Sequence, residues 1–328
     1  MKTKRRLALA LCLLTALSCG LMSAPASAQQ WPTKPLRIIV PFPAGQAADL
    51  IARIIADRLG PALGQQVVVD NRPGAGGVIG AELTAKAAPD GYTLGMAGNA
   101  TMSIAPSLYA KLSYAPLRDF APVTSMAAVP FVFCVNPASP VQSIQDLIAL
   151  AKARPGEVNY GSSGNGATSH LVQALFAAMA GMDVTHVPYK GAVPSLTDLI
   201  GGRITFVAET TPAVLPHVKA GRLRGIGVSS AKRITFLPDI PSLDEQGVKG
   251  FDVFAWGGLV APAGTPAHIL DRLNRDVVKI VNMPEVQQRF YEMAIIPVGN
   301  SREQFAAFLK AELPQWAAAV KVSGAKVE

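Results

Sequence analysis

Cysteine is scarce in this chain of 328 residues. There are three, and two of them, Cys12 and Cys19, lie close to the N-terminus. The third, Cys134, sits in the apolar run Val132-Phe133-Cys134-Val135, as a buried core thiol would. One remaining thiol excludes an internal disulfide. Clustered positive charge is missing too. The formal net charge is +8, but Lys2, Lys4, Arg5 and Arg6 supply four of the basic residues. The other 26 Lys and Arg face 22 Asp and Glu, and Lys232-Arg233 is their only adjacent pair. Scattered, mildly basic charge suits an acidic solute and argues against nucleic acid. The four histidines, His170, His186, His217 and His268, lack zinc-type spacing, so no metal is expected and structural or surface roles are assigned to them. Beyond the N-terminal segment no run is long and apolar enough to cross a bilayer, and no short repeat or low-complexity segment stands out.

The N-terminal segment itself has the three parts of an export signal. Lys2 to Arg6 is a basic region, Leu7 to Leu17 an apolar one too short to span, and Ala26-Ser27-Ala28 a small-residue cleavage site before Gln29. Residues 1–28 are therefore expected to be removed after Ala28, leaving the mature chain in the periplasm. Arg5-Arg6 leaves twin-arginine export open beside the general secretory route. Ala16-Leu17-Ser18 before Cys19 fits lipidation poorly. The 300 residues that follow suffice for two domains.

Short apolar runs alternate with helical patterns almost throughout. Leu36–Val40 reads as a buried strand, and Leu50, Ile51, Ile54, Ile55 and Leu59 recur at helical spacing after it. Strands follow at 67–69 and 92–96, with a helix from 78 to 88 between them. Further strands are expected at 158–160, 184–187, 204–208 and 223–228. Such a succession of βα units predicts α/β lobes, each a mostly parallel sheet flanked by helices. Two long extended stretches, 120–135 and 251–261, read as connections leaving the first domain and returning to it. The expected division is lobe 1 over 29–127 and 253–328 and lobe 2 over 128–252, with a ligand cleft between them.

One pattern occurs in both lobes: an apolar run, a small-residue loop, then a helix. The first copy is Ile38 to Asp49, the second Asn159 to His170. Backbone N–H groups and the helix dipole at such a junction favour an anion. In the first copy Phe42, Ala44, Gln46 and Asp49 are candidate ligand contacts, and Asp49 equally suits a cap of the first turn. In the second copy the candidates are Ser162, Ser163, Gly164, Asn165, Gly166 and Thr168, which also suit turns and caps. A third strand-to-helix junction adds Asn99 and Thr101. A fourth adds Glu209, either a dipole partner or an acceptor for a ligand hydroxyl or ammonium. Trp256, in the return stretch, is a hinge packing residue or a pocket wall.

Several catalytic patterns fail. Gly74 to Gly80 lacks the third glycine of a dinucleotide loop. Gly161-Ser162-Ser163-Gly164-Asn165 has asparagine where a nucleophile elbow needs glycine, and His170 follows Ser163 too closely to be its base. An exported serine hydrolase using Ser163 and His170 is thus a remote alternative, and no catalytic residue or cofactor is expected.

The segments Ile39-Val40-Pro41-Phe42-Pro43-Ala44-Gly45, Val69 to Gly77, Ala87 to Leu94, Arg118 to Val123, Tyr160 to Gly166, His186 to Gly191 and Ala261 to Pro266 resemble, in order, the substrate-binding receptors of tripartite tricarboxylate transporters, the Bug or TctC family. The resemblance spans nearly the whole mature chain. It implies a type II-like periplasmic binding fold whose lobes close on a small organic acid, a di- or tricarboxylate or an aromatic carboxylate. It further implies delivery to integral-membrane transporter subunits, with no metal or enzymatic activity. Ligand carboxylate is expected between the loops 42–49 and 161–169, held by backbone amides, small hydroxyls and water. Two positions depart from the family pattern: Gln46 stands where glycine is usual, and Glu209 where aspartate is. A monomer is the default for a receptor that must close and dock. Presentation of the ligand to a membrane kinase is the alternative role.

Overall fold

The computed structural model describes residues 31–326, so the expected export signal lies outside the described residues. The elements below all belong to the unit that begins at Lys34. The apolar run Leu36–Val40 is β1, and Gln46 leads into α1 (Ala47–Leu63). This helix buries Ile51, Ile54, Ile55 and Leu59. Leu50, expected on the same face, is exposed, because the stripe centres on 51, 55 and 59 and Leu50 falls at its margin. β2 (Val67–Asn71), a 3-10 turn (Ala75–Gly77), α2 (Val78–Ala85) and β3 (Thr93–Ala97) follow. A π-helical turn (Ala100–Ile104) runs into the short α3 (Ala105–Leu108), and α4 (Pro116–Asp119) precedes β4 (Phe120–Val135).

The alternation then restarts with α5 (Ile144–Ala153), β5 (Asn159–Ser162), α6 (Thr168–Ala180), β6 (Thr185–Pro188) and α7 (Ala192–Ile200). Next come β7 (Phe206–Thr210), α8 (Thr211–Lys219) and β8 (Arg224–Val228). The chain closes with β9 (Phe254–Pro262), α9 (Ala267–Val281), α10 (Pro284–Glu292), β10 (Ile296–Pro297) and α11 (Arg302–Ser323).

The strand order is β2-β1-β3-β9-β4-β7-β5-β6, with β8 and β10 also paired to β4. Strands β1, β2 and β3 are parallel to one another, as are β5, β6 and β7. Among the described residues, every antiparallel strand pairing involves β4 or β9. The stretch 120–135, expected as a connection, is thus the spine of the whole sheet. Its first part, Phe120 to Pro130, pairs with β9, and its second, Phe131 to Val135, lies between β7 and β8. Register shifts between Pro122 and Thr124 and between Ser125 and Ala127 bend it, as bulges do.

Alternation along β4 builds two cores. Phe131, Phe133 and Val135 join Phe176, Phe206 and Phe251 on one face. Val132 and Cys134 join Val207, Leu196 and Leu237 on the other. A third cluster gathers Phe120, Trp256, Phe305 and Leu309. α11 serves two of them, with Phe305 and Leu309 in the third cluster and Trp316, Ala319 and Val320 in the first. Ser229 ties β4 to the residue just before β9. Its Oγ accepts from the Phe131 N–H at 2.9 Å and donates to the Val253 carbonyl at 2.5 Å.

Candidate functional site

The parallel registers bring the carboxyl ends of β1, β2 and β3 to one edge, with Val40 opposite Asn71. They do the same for β5, β6 and β7, with Ser162 opposite Pro188. Ligands of α/β sheets collect at such edges. At both, a helix starts without a side-chain cap: α1 after Gln46 and α6 after Ala167. The first-turn N–H groups of these helices have no intrahelical acceptor, so they offer donors and a positive dipole end.

The first loop is held from below by Asp49. Its carboxylate accepts from the Gly45 N–H at 2.8 Å, Arg53 Nε at 3.0 Å and Asn71 Nδ2 at 2.9 Å. Asn71 Nδ2 also donates to the Phe42 carbonyl at 3.1 Å. Burial pushes the Asp49 carboxyl up, but hydrogen bonds from Arg53, Gly45 and Asn71 outweigh it and hold it below the usual carboxylate range. Asp49 is buried, whereas Ala44 and Gln46 are exposed and Phe42 is half-buried. Phe42 and Thr101 meet over Gly77. A Cβ there would lie 2.8 Å from Thr101 Cγ2 and 3.3 Å from Phe42 Cζ, and Gly77 has φ +98°. Thr101 itself is buried, its hydroxyl donating to the Gly98 carbonyl at 3.2 Å.

In the second loop Ser162 is fully buried, with Oγ 2.7 Å from His186 Nε2 and accepting from the Gly164 N–H at 3.1 Å. His170 Nδ1 accepts from the Gly166 N–H at 3.1 Å. The His170 and His186 rings stack at 3.7 Å and 6°, beneath the loop. Burial and the neighbouring imidazole push His170 down to about 4, and burial lowers His186 as well. Ser163 donates its hydroxyl to Glu209, and its N–H goes to Ser169 Oγ at 3.1 Å. Glu209 is buried, and burial raises its pKa against the hydrogen bonds from Ser163, Ser169 and the Thr210 N–H. Ser163, Gly164 and Thr168 are half-buried and Asn165 is exposed. Leu108, at the end of α3, reaches this loop: a Cβ on Gly166, whose φ is +73°, would lie 2.7 Å from Leu108 Cδ2.

Asn99 and Trp256 belong to a different cluster. Glu312 Oε2, on α11, accepts from Asn99 Nδ2 at 3.0 Å, Trp256 Nε1 at 2.8 Å and Trp316 Nε1 at 2.7 Å. Asn99 Oδ1 in turn accepts the Trp256 N–H at 3.0 Å. Burial raises the Glu312 carboxyl despite these three donors. Trp256 packs edge-on against Phe305 and Phe308.

The candidates therefore sort into two groups. Phe42, Ala44, Gln46, Ser163, Gly164, Asn165 and Thr168 are accessible, while Asp49, Asn99, Thr101, Ser162, Gly166, Glu209 and Trp256 are buried beneath or beside them. Sequence reasoning missed Asn71, His186 and Glu312 as partners. Asn71 closes a strand beside the first loop, but nothing in the spacing links His186 or Glu312 to a loop. A separate surface cavity of about 490 Å³, lined in part by Asn136, Asn159, Arg203 and Thr205, opens at the other end of β5. Its polar groups already satisfy one another: Asn159 Oδ1 accepts the Thr205 N–H at 2.8 Å, and Asn136 Nδ2 donates to the Ile200 carbonyl at 2.8 Å.

The family described as the tripartite tricarboxylate transporter family receptor matches residues 51–324. Protein BugT of Bordetella pertussis is 39% identical over 94% of each chain. Among solved structures, Rpa4515 of R. palustris with adipate is 37% identical, with TM-score 0.80 over 90% of this chain and 100% of that one. MatC of Rhodopseudomonas palustris with bound malate is 29% identical, with TM-score 0.76 over 88% of this chain and 100% of that one. Such receptors bind substrates and are not enzymes. From the family match over most of its length, its relatives and its mixed α/β fold of a largely parallel sheet flanked by helices, this chain belongs to the tripartite tricarboxylate transporter receptor family.

Proposed function

We propose that this receptor binds one small organic carboxylate between loops 42–49 and 161–169 and hands it to integral-membrane transporter subunits. The carrying observation is that α1 and α6 both begin uncapped, each behind a small-residue loop without lysine or arginine. Uncapped N–H groups and helix dipoles suit a carboxylate, and their neutral surroundings suit release. The relatives solved with adipate and malate support the same ligand class.

The proposed lobes are 29–127 with 253–328, and 128–252. The change of strand partners at Pro130 and Phe131, and the start of β9 at Phe254, support that division to within a few residues. Ligand bridging both loops favours the closed form because only that form engages both. The mature protein is expected to begin at Gln29 in the periplasm and to act as a monomer.

Calorimetric titration of refolded protein with a panel of organic acids tests this reading. Saturable one-to-one binding without product is expected. Cells lacking the receptor should then fail to accumulate the acid that binds; uptake at the normal rate would refute the delivery role.

A further inference from the structure

We propose that the ligand is an acid carrying a hydrogen-bond donor, a hydroxyl or an ammonium, close to its carboxylate, and that Ser163 reads this donor because the serine's own hydroxyl hydrogen is donated to Glu209. This rests on the receptor reading above and names the ligand class within it.

A serine hydroxyl has one hydrogen and two lone pairs. The Ser163 hydrogen lies on Glu209 Oε1. Nothing lets it turn away cheaply. The Ser163 N–H is held by Ser169 Oγ at 3.1 Å, and its carbonyl accepts the Gly191 N–H at 3.1 Å. Glu209 is 4% exposed. Its other partners, Ser169 and the Thr210 N–H, donate to it as well, and these bonds favour its carboxylate form against the burial that raises its pKa. What the half-buried Ser163 has left is acceptor capacity.

A carboxylate placed against Ser163 Oγ would meet lone pairs, with an acidic group behind them. A hydroxyl or ammonium there would complete the serine's hydrogen bonding. The ligand carboxylate belongs instead at the uncapped start of α6, a few residues along the same loop. Of the other loop hydroxyls, Ser162 is fully buried and engaged with His186, Ser169 is buried on the Ser163 N–H, and half-buried Thr168 stands at the helix start itself. An acid with no donor leaves the Ser163 acceptor unpaired in a desolvated cleft, and sites built around a hydrogen bond discriminate strongly against analogues that lack it.

Glu209 acts here as a positioning residue, through Ser163. The test is calorimetric titration of the refolded mature protein with matched acids: propionate against lactate and alanine, succinate against malate and aspartate, phenylacetate against mandelate. At least one donor-bearing acid should bind tenfold or more tightly than its plain partner. Ser163→Ala should bring that ratio close to one by weakening the donor-bearing acid about tenfold or more. Glu209→Gln should lower the ratio by improving the plain acid, a change that mere loosening of the loop would not produce. Equal affinities for plain and donor-bearing acids would overturn the inference and leave the receptor reading standing. So would a ratio that survives Ser163→Ala. A wild-type ratio in Glu209→Gln would remove Glu209 from it. Absence of saturable binding by every acid would overturn both readings.

Discussion

Asn71, at the end of β2, holds Asp49 in the first turn of α1: one amide hydrogen goes to Asp49 Oδ1 at 2.9 Å and the other to the Phe42 carbonyl at 3.1 Å. The exposed tip of the first loop is thus fixed through a buried carboxylate and a neighbouring strand. Asn71→Ala should weaken ligand binding about tenfold or more, and cost about 1–2 kcal/mol of stability from the donors and acceptors it leaves behind. Titration and urea denaturation measure the two effects. Unchanged affinity with lowered stability would show that loop order does not govern binding.

The histidine stack makes stability depend on pH. His170 has its folded pKa pushed from 6.5 to about 4. Between those values the unfolded chain binds a proton that the folded protein refuses, so stability falls as pH drops from 6.5 towards 4 and levels off below. Protonation would also remove the acceptor for the Gly166 N–H and press a cation against the stacked His186 ring. Melting temperatures across pH 7 to 4 should decline, and His170→Gln should flatten the decline. A slope identical in the variant would assign it to other groups.

Glu312 gathers three buried donors on a single oxygen. Glu312→Ala strands both indole N–H groups, while Asn99 Nδ2 keeps the Phe254 carbonyl, and should destabilise the fold by at least about 2 kcal/mol, at about 1–3 kcal/mol for each unsatisfied group. Glu312→Gln keeps an acceptor and removes a buried charge, so its cost should be much smaller. Denaturation followed by tryptophan fluorescence reads both, since Trp256 and Trp316 are two of the donors.

Gly166→Val should impair binding more than folding. The position has φ +73°, which a branched side chain adopts poorly, and its Cβ would press on Leu108. A loss of roughly 1–3 kcal/mol is expected from the strain, with ligand affinity falling tenfold or more. Binding at the wild-type level would exclude this loop from the site.

Much of the architecture was readable because the apolar runs are short and separated by glycine and proline. Leu36–Val40 is a strand with the boundaries its sequence suggests. β4 was harder. An apolar stretch with Pro122 and Pro130 looks the same whether it links two domains or pairs along its whole length, and only the partners β7, β8 and β9 decide. The loops were legible as loops, but not which of their side chains face inward. Ser162 and Ser163 are adjacent and chemically identical, yet one is buried against His186 and the other bonds Glu209. Tyr160 pairs in register with His186 across β5 and β6, which places that imidazole under the second loop, 24 residues from Ser162. Glu312 reads as one more charged residue on a long helix. Its only local hint is Trp316, one turn further along the same face.

The placement of β9 and α11 bears on how an exported chain comes to be folded. β3 is bordered by a strand that lies some 160 residues later, and the cluster holding Phe120 waits for Phe305 and Leu309. The part that leaves the ribosome first is the part completed last. Contacts of such long range form slowly, so the emerging N-terminal segment stays without its final partners while most of the chain is still being made. On the general secretory route, one of the two that the N-terminal segment allows, such a delay keeps the polypeptide unfolded enough to thread. Moving Phe254–Ser323 to the front of the chain by circular permutation should hasten folding and hinder secretion.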